Sequence, residues 1–224
     1  MKRLIYILPI LFFATVFSCK KDHPDSEVIS KITHYAVFDI VGNSIETVIV
    51  GTPYTDPGVT AYENGVVIPH KVEGDVVDPN TPGVYVITYT AVNKDGYVSG
   101  TNRFVAVIES DVLTDDFSGS YQRNAGAKGI AKWTKIKDAV YLNSDVGGAN
   151  ANASVYVFNI KKNIVVVPPQ PLSGAGFDLN TYCDDGNGNA EIPFVPGKIG
   201  DICYKWEVHN SGYGTAIRQF VRIK

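Results

Sequence analysis

The chain is poor in the residues that most often carry chemistry. Its 224 residues include three cysteines, four histidines, two tryptophans and one methionine, the first residue. Cysteines at 19, 183 and 203 form no Cys-x-x-Cys zinc or redox pair. Lys and Arg, 20 in all, are outnumbered by 23 Asp and Glu, which argues against nucleic acid, whose phosphates call for clustered cations. No His-Glu-x-x-His, Gly-x-Ser-x-Gly or phosphate-loop motif occurs. His23, His34, His70 and His209 are scattered. The paired carboxylates Asp115-Asp116 and Asp184-Asp185 are sequence neighbours, which does not set two groups across a glycosidic bond. Catalysis is therefore not expected. No apolar run reaches the roughly 20 residues of a spanning helix, and helical periodicity is missing throughout.

What remains is an ordinary globular balance, 45% hydrophobic and 19% charged, rich in Gly, Pro and Tyr. Such a composition reads as β structure. The first 18 residues stand apart. Lys2 and Arg3 precede an uncharged stretch from Leu4 to Phe17, the pattern of a secretory leader. Ser18-Cys19 then resembles the cleavage site of a bacterial lipoprotein signal, which implies removal of 1–18 and acylation of Cys19. Cys19-Lys20-Lys21-Asp22 resembles the charged tether of Bacteroidetes surface lipoproteins, which implies attachment to the outer membrane through lipid. The alternative is a plain secretory leader with an incidental cysteine. Residues 19–30 read as a polar tether. Setting Cys19 aside leaves Cys183 and Cys203, either a disulfide in an oxidising envelope or two buried thiols.

From residue 31 to 109 short β segments alternate with turns. Asn64-Gly65 is a hairpin signal. In Val84–Val92, Tyr85, Ile87, Tyr89 and Ala91 share one face. Tyr85, two residues after Pro82-Gly83, is placed for a tyrosine corner, its hydroxyl bonding back to the backbone. Gly51, Tyr54-Thr55-Asp56-Pro57-Gly58-Val59, Asn64-Gly65, Pro82-Gly83-Val84-Tyr85, Thr88-Tyr89-Thr90-Ala91 and Asp95-Gly96 together resemble the bacterial surface Ig-like domain family. The resemblance implies an immunoglobulin-like β-sandwich that serves as a spacer or module.

An acidic stretch, 109–116, is read as a boundary with little room for core. Residues 116–224 are expected to form a second all-β domain, an antiparallel sandwich or a small open barrel. Ala139 to Gly148 (AVYLNSDVGG) resembles C-terminal domains that follow Ig-like modules in Bacteroides surface lipoproteins; that resemblance carries no ligand with it. Trp133, Tyr141, Tyr182 and Tyr213 are candidate sugar platforms, since flat rings with polar tips suit sugar faces; core packing is the competing reading. Asp185, Asn187, Asn189 and Glu191 offer oxygens at alternate positions to Ca²⁺, although a flexible hairpin turn has the same composition. No other cofactor is expected. The expected function is a lipid-anchored surface protein binding glycan in a polysaccharide-uptake system. The alternative is a structural or protein-interaction subunit of an envelope complex, docked to a partner protein.

Overall fold

The computed structural model describes residues 32–162, 164–170, 182–184, 190–191, 203–210 and 214–223. Tyr35 onward forms one compact unit. Among the described residues there is no α-helix, only strands and one 3₁₀ turn, so the expected all-β class holds.

The Ig-like part is two sheets face to face. One contains β1 (Val37–Ile40), β3 (Val59–Glu63) and β4 (Val66–Ile68), in the order β1-β3-β4. The other contains β2 (Ile45–Ile49), β5 (His70–Gly74), β6 (Gly83–Val92) and β7 (Val98–Ile108), in the order β2-β7-β6-β5, with β2 parallel to β7. Asn64 and Gly65, at φ 49° and 79°, make the β3–β4 hairpin turn, as that dipeptide demands. Pro69 separates β4 from β5, and the chain changes sheet there, at a residue with no N–H for either ladder. The two-residue alternation of β6 buries Ile87, Tyr89 and Ala91 and turns Thr88 and Thr90 outward. Tyr85 donates its hydroxyl to the Thr81 carbonyl at 3.0 Å, the expected tyrosine corner.

The chain then runs through a 3₁₀ turn (Ser110–Thr114) into a nine-stranded antiparallel sheet. Its strands are β8 (Gly119–Arg123), β9 (Ile130–Lys137), β10 (Val140–Asn143), β11 (Val155–Lys161), β12 (Ile164–Val166), β13 (Tyr182–Asp184), β14 (Ala190–Glu191), β15 (Cys203–Asn210) and β16 (Gly214–Ile223). The order is β13-β15-β16-β8-β9-β10-β11-β12-β14. β14 returns against β15, so the sheet curls round on itself. Of the two architectures expected, the curled sheet is the one observed.

The stretch 109–116 contributes more core than its acidity suggested. Val112 is fully buried in a cluster with Phe104, Ala106 and Ile108 of the Ig-like part and Val140, Phe158 and Ile160 of the curled sheet. The rings of Phe104 and Phe158 lie 5.9 Å apart across this junction, and the Glu109 N–H donates to the Ile160 carbonyl at 2.8 Å. The two β regions therefore share this hydrophobic cluster.

Candidate functional site

Three places concentrate side-chain chemistry. They are the inside of the curled sheet, a buried arginine in the Ig-like part, and a cleft beside the junction.

The inside of the curled sheet is aromatic. Period-two alternation points Tyr121 of β8, Trp133 of β9, Tyr141 of β10, Tyr204 and Trp206 of β15, and Phe220 of β16 into one cluster. Trp133 is 1% exposed and Tyr141 0%, so these two candidate sugar platforms are core. The reason is closure: once the sheet curls, one face of every strand has no solvent, and the largest rings fill it. Trp206 and Tyr204, two residues apart on one face of β15, are buried with them. The phenols pack among rings, and burial, the largest cause in each case, pushes Tyr121 up to about 12 and Tyr141 well above its ordinary value. Each still finds a carbonyl: Tyr121 donates to Phe117 at 2.7 Å and Tyr141 to Asp115 at 2.9 Å.

The Asn143–Gly148 segment closes one end of this interior. Buried Asn143 donates through Nδ2 to the Tyr204 hydroxyl at 3.2 Å and accepts the Asp145 N–H at 2.9 Å. Asp145, also buried, accepts the N–H groups of Ala149 and Asn150 on its two oxygens. Trp206 donates Nε1 to the Val146 carbonyl at 3.0 Å. Gly148 sits at φ 57°, and a Cβ there would lie 2.7 Å from the Phe220 ring. The motif is thus a plug whose polar atoms satisfy its own turn and whose glycine admits a neighbouring ring.

In the Ig-like part, the Arg103 side chain is fully buried. Its guanidinium donates to Tyr89 Oη at 3.1 Å, Glu46 Oε1 at 3.1 Å, Val41 O at 2.8 Å and Gly58 O at 3.0 Å, and pairs with Asp56 Oδ1 at 3.0 Å. Tyr89 donates to the same Asp56 oxygen at 2.7 Å. A planar fork reaches this many acceptors at once where an ammonium does not. Burial first, and the charge of Glu46 second, raise the Tyr54 phenol beside it. The arrangement is a clamp on the loops around β2, and it explains Asp56 and Gly58 in the Tyr-Thr-Asp-Pro-Gly motif. No ligand is needed to account for it.

The third place opens to solvent. A cleft of about 480 Å³ lies between Asp75, Val76 and Gly83–Val86 on the Ig-like side and Val166–Pro169 on the other. Sequence reading missed it, because its walls come from segments 80 or more residues apart. The signal that could have exposed the junction is the run Phe104–Ile108 (FVAVI). An uninterrupted apolar strand is one covered on both faces.

The remaining candidates are placed as follows. Cys19, the leader and the tether, together with Asp185, Asn187, Asn189 and Tyr213, lie outside the described residues, as do the side chains of Tyr182 and Glu191. Among the described residues, no group of three His, Cys, Asp or Glu is arranged to hold a metal. The strand register opposes Cys183 to Val208, five residues from Cys203. The side chains of both cysteines lie outside the described residues.

Residues 38–107 match the family described as bacterial surface protein, Ig-like domain. The resemblance read from the turn residues is met over that stretch. Among solved structures, the crystal structure of a lipoprotein from Bacteroides thetaiotaomicron is similar at 20% identity, covering 84% of this chain and 100% of that one. The TM-score of that pair is 0.36. No curated protein matches.

Proposed function

We propose that the chain is a lipid-anchored protein on the outer surface of a bacterial envelope, held in the outer membrane through Cys19, and that it works there without catalysis as an interaction subunit. The surface assignment draws on the Ig-like family matched by residues 38–107, whose description places such domains in surface proteins. The anchoring draws on the leader and Cys19.

One observation favours a protein partner over a glycan. Trp133, Tyr141, Tyr204 and Trp206 all face the interior, so four large rings of the second region are unavailable to stack on sugar. Its outward surface at the junction offers aliphatic walls and strand backbone instead.

A glycan remains the second reading because of a different place. Tyr35 and Tyr97 are both more than half exposed, their centroids 5.6 Å apart. Their planes are inclined at 55°, less suited to one sugar face than coplanar rings.

The deciding experiment uses the chain from Cys19 onward on a glycan array, alongside cross-linking on intact cells that carry the wild-type chain or Cys19→Ala. The interaction reading expects no retained polysaccharide and a defined cross-linked protein with wild type. It also expects loss of acyl labelling and of membrane association in Cys19→Ala. Binding to a polysaccharide that falls in Tyr35→Ala and Tyr97→Ala would establish the glycan reading instead.

A further inference from the structure

The cleft beside the junction is a notch in the four-stranded sheet. β5 pairs with β6 only as far as Gly74 opposite Ile87. Asp75 then ends the ladder: its N–H donates to the Val86 carbonyl at 2.9 Å, and its Oδ2 accepts the Val86 N–H at 2.8 Å. By the two-residue parity of a strand, Val84 presents its N–H and C=O to the same side as Val86. Among the described residues no strand continues β5 past Asp75, and no backbone group is paired with Val84 on that side. Among the described residues a short length of sheet edge is therefore open, facing the cleft.

The opposite wall is held firmly. The buried amide of Gln170 accepts the Tyr156 N–H at 2.7 Å and donates to the Tyr156 carbonyl at 2.9 Å and the Pro168 carbonyl at 3.2 Å. This fixes Val166–Pro169, of which Val166, Val167 and Pro168 are buried. Val84 and Val86, on the Ig-like side, pack against the junction core. The rim is acidic. Among the described residues, Asp75 lines the cleft and no Lys or Arg does, and the charges of Asp78 and Asp75 both act on the Tyr85 hydroxyl. Val76 stands 90% exposed at the mouth.

We propose that this cleft docks an extended peptide segment of a partner protein, which adds to the open edge of β6 at Val84, lays an apolar side chain against Val86, Val166 and Pro168, and sets a Lys or Arg beside Asp75. An exposed edge that offers a free N–H and C=O recognises polypeptide through main-chain hydrogen bonds, while the flanking pocket selects the side chain. The Asp75 carboxylate, with no cation among the described lining residues, sets the sign of the partner's charge. The proposal rests on the interaction-subunit reading and names the surface that reading needs.

The test pans the chain from Cys19 onward against a phage-displayed library of linear peptides and titrates those enriched. Enriched peptides are expected to place a Lys or Arg next to apolar residues. Asp75→Asn keeps an acceptor for the Val86 N–H but removes the charge, and it is expected to weaken binding at least five-fold at low salt. Val84→Pro removes the N–H that the peptide would use and is expected to abolish binding. Val67→Lys, on a different sheet, leaves it unchanged. Should Val84→Pro not fold, the Val84 amide resonance of the wild-type protein serves: it shifts on peptide addition if the edge is engaged. Peptides that bind all three variants like wild type, and leave that resonance unmoved, would overturn the cleft while keeping the interaction-subunit reading. No enriched peptide, together with a glycan bound on the array, would remove both.

Discussion

Trp133 and Trp206 stack face to face inside the curled sheet, their centroids 5.7 Å apart and their planes 20° apart, although β8 and β16 lie between their strands in the sheet. The contact crosses the interior rather than running along the sheet. It ties β9 to β15, far apart in sequence, and fills the space that curling creates. The two indoles differ in one respect: Trp206 Nε1 bonds the Val146 carbonyl, whereas Trp133 Nε1 meets no acceptor among the described residues.

That difference predicts an ordering. Trp133→Ala and Trp206→Ala should each destabilise by about 3–5 kcal/mol, as large-to-small changes in a packed core do. Trp133→Phe sacrifices no hydrogen bond, whereas Trp206→Phe leaves a buried carbonyl unpaired. Trp206→Phe should therefore cost about 1 kcal/mol more. Urea denaturation of the four variants checks this; equal costs for the two Phe variants would contradict the stated role of the Val146 carbonyl.

The same local device occurs twice. Tyr85 and Tyr121 both follow a Gly-x step, at Gly83 and Gly119, and both donate to the carbonyl four residues upstream, at 3.0 Å and 2.7 Å. Tyr85→Phe and Tyr121→Phe should each cost about 1 kcal/mol, more for the buried Tyr121, and the double variant should show their sum. Calorimetry of the three variants measures it, and strong non-additivity would show that the two corners are coupled.

Replacing Arg103 should be among the most damaging changes in the Ig-like part. Arg103→Met leaves Asp56 and Glu46 without their cation and several carbonyls without a donor, at a cost of about 3–5 kcal/mol. Arg103→Lys should recover only part, because a single ammonium cannot span Glu46, Asp56, Val41 O and Gly58 O together. Denaturation midpoints of both variants decide; a Lys variant as stable as wild type would refute the fork argument.

Alkaline pH should unfold the second region through its phenols. Tyr121, at about 12, and Tyr141, higher still, keep their protons in the fold longer than a free tyrosine at 10.0 does. The folded values are raised, so the stabilisation is complete below pH 10. It falls as pH rises from there through the folded values, by about 1.4 kcal/mol per pH unit for each phenol. The last phenolate absorbance to appear should rise together with the loss of circular dichroism above pH 10. Titration of all tyrosines with the fold intact would contradict the burial of these two.

The shared cluster makes unfolding a joint event. Both tryptophans lie beyond residue 116, so their fluorescence reports the curled sheet alone, while amide exchange in β6 and β7 reports the Ig-like part. The two signals should be lost at the same denaturant concentration, and Phe158→Ala should shift both midpoints down by the same amount. Separate transitions would show that the junction does not couple them.

Much of the Ig-like part could be read from its residues because each signal there is local. Asn64-Gly65 specifies its turn, Tyr85 its corner, and β6 its buried face. The second region resisted for identifiable reasons. In β9 the apolar residues occur at both parities: Ala131 and Trp133 point inward, yet Ile130 and Ile136 are half exposed. Alternation alone therefore could not choose Trp133's side. In 109–116 only Val112 and Leu113, two adjacent residues among acids, supply the core contact, too little for any pattern to register. The cleft was illegible because nothing in the sequence near Asp75 announces Pro168.

The junction also limits how the Ig-like domain can be reused. Phe104, Ala106 and Ile108 leave one face of β7 finished only by Phe158 and its neighbours. Excised and grafted onto a foreign carrier, residues 31–109 would carry a raw, water-averse scar that invites self-association. The domain has the outline of an interchangeable cassette, but in this chain it is fitted to a single neighbour.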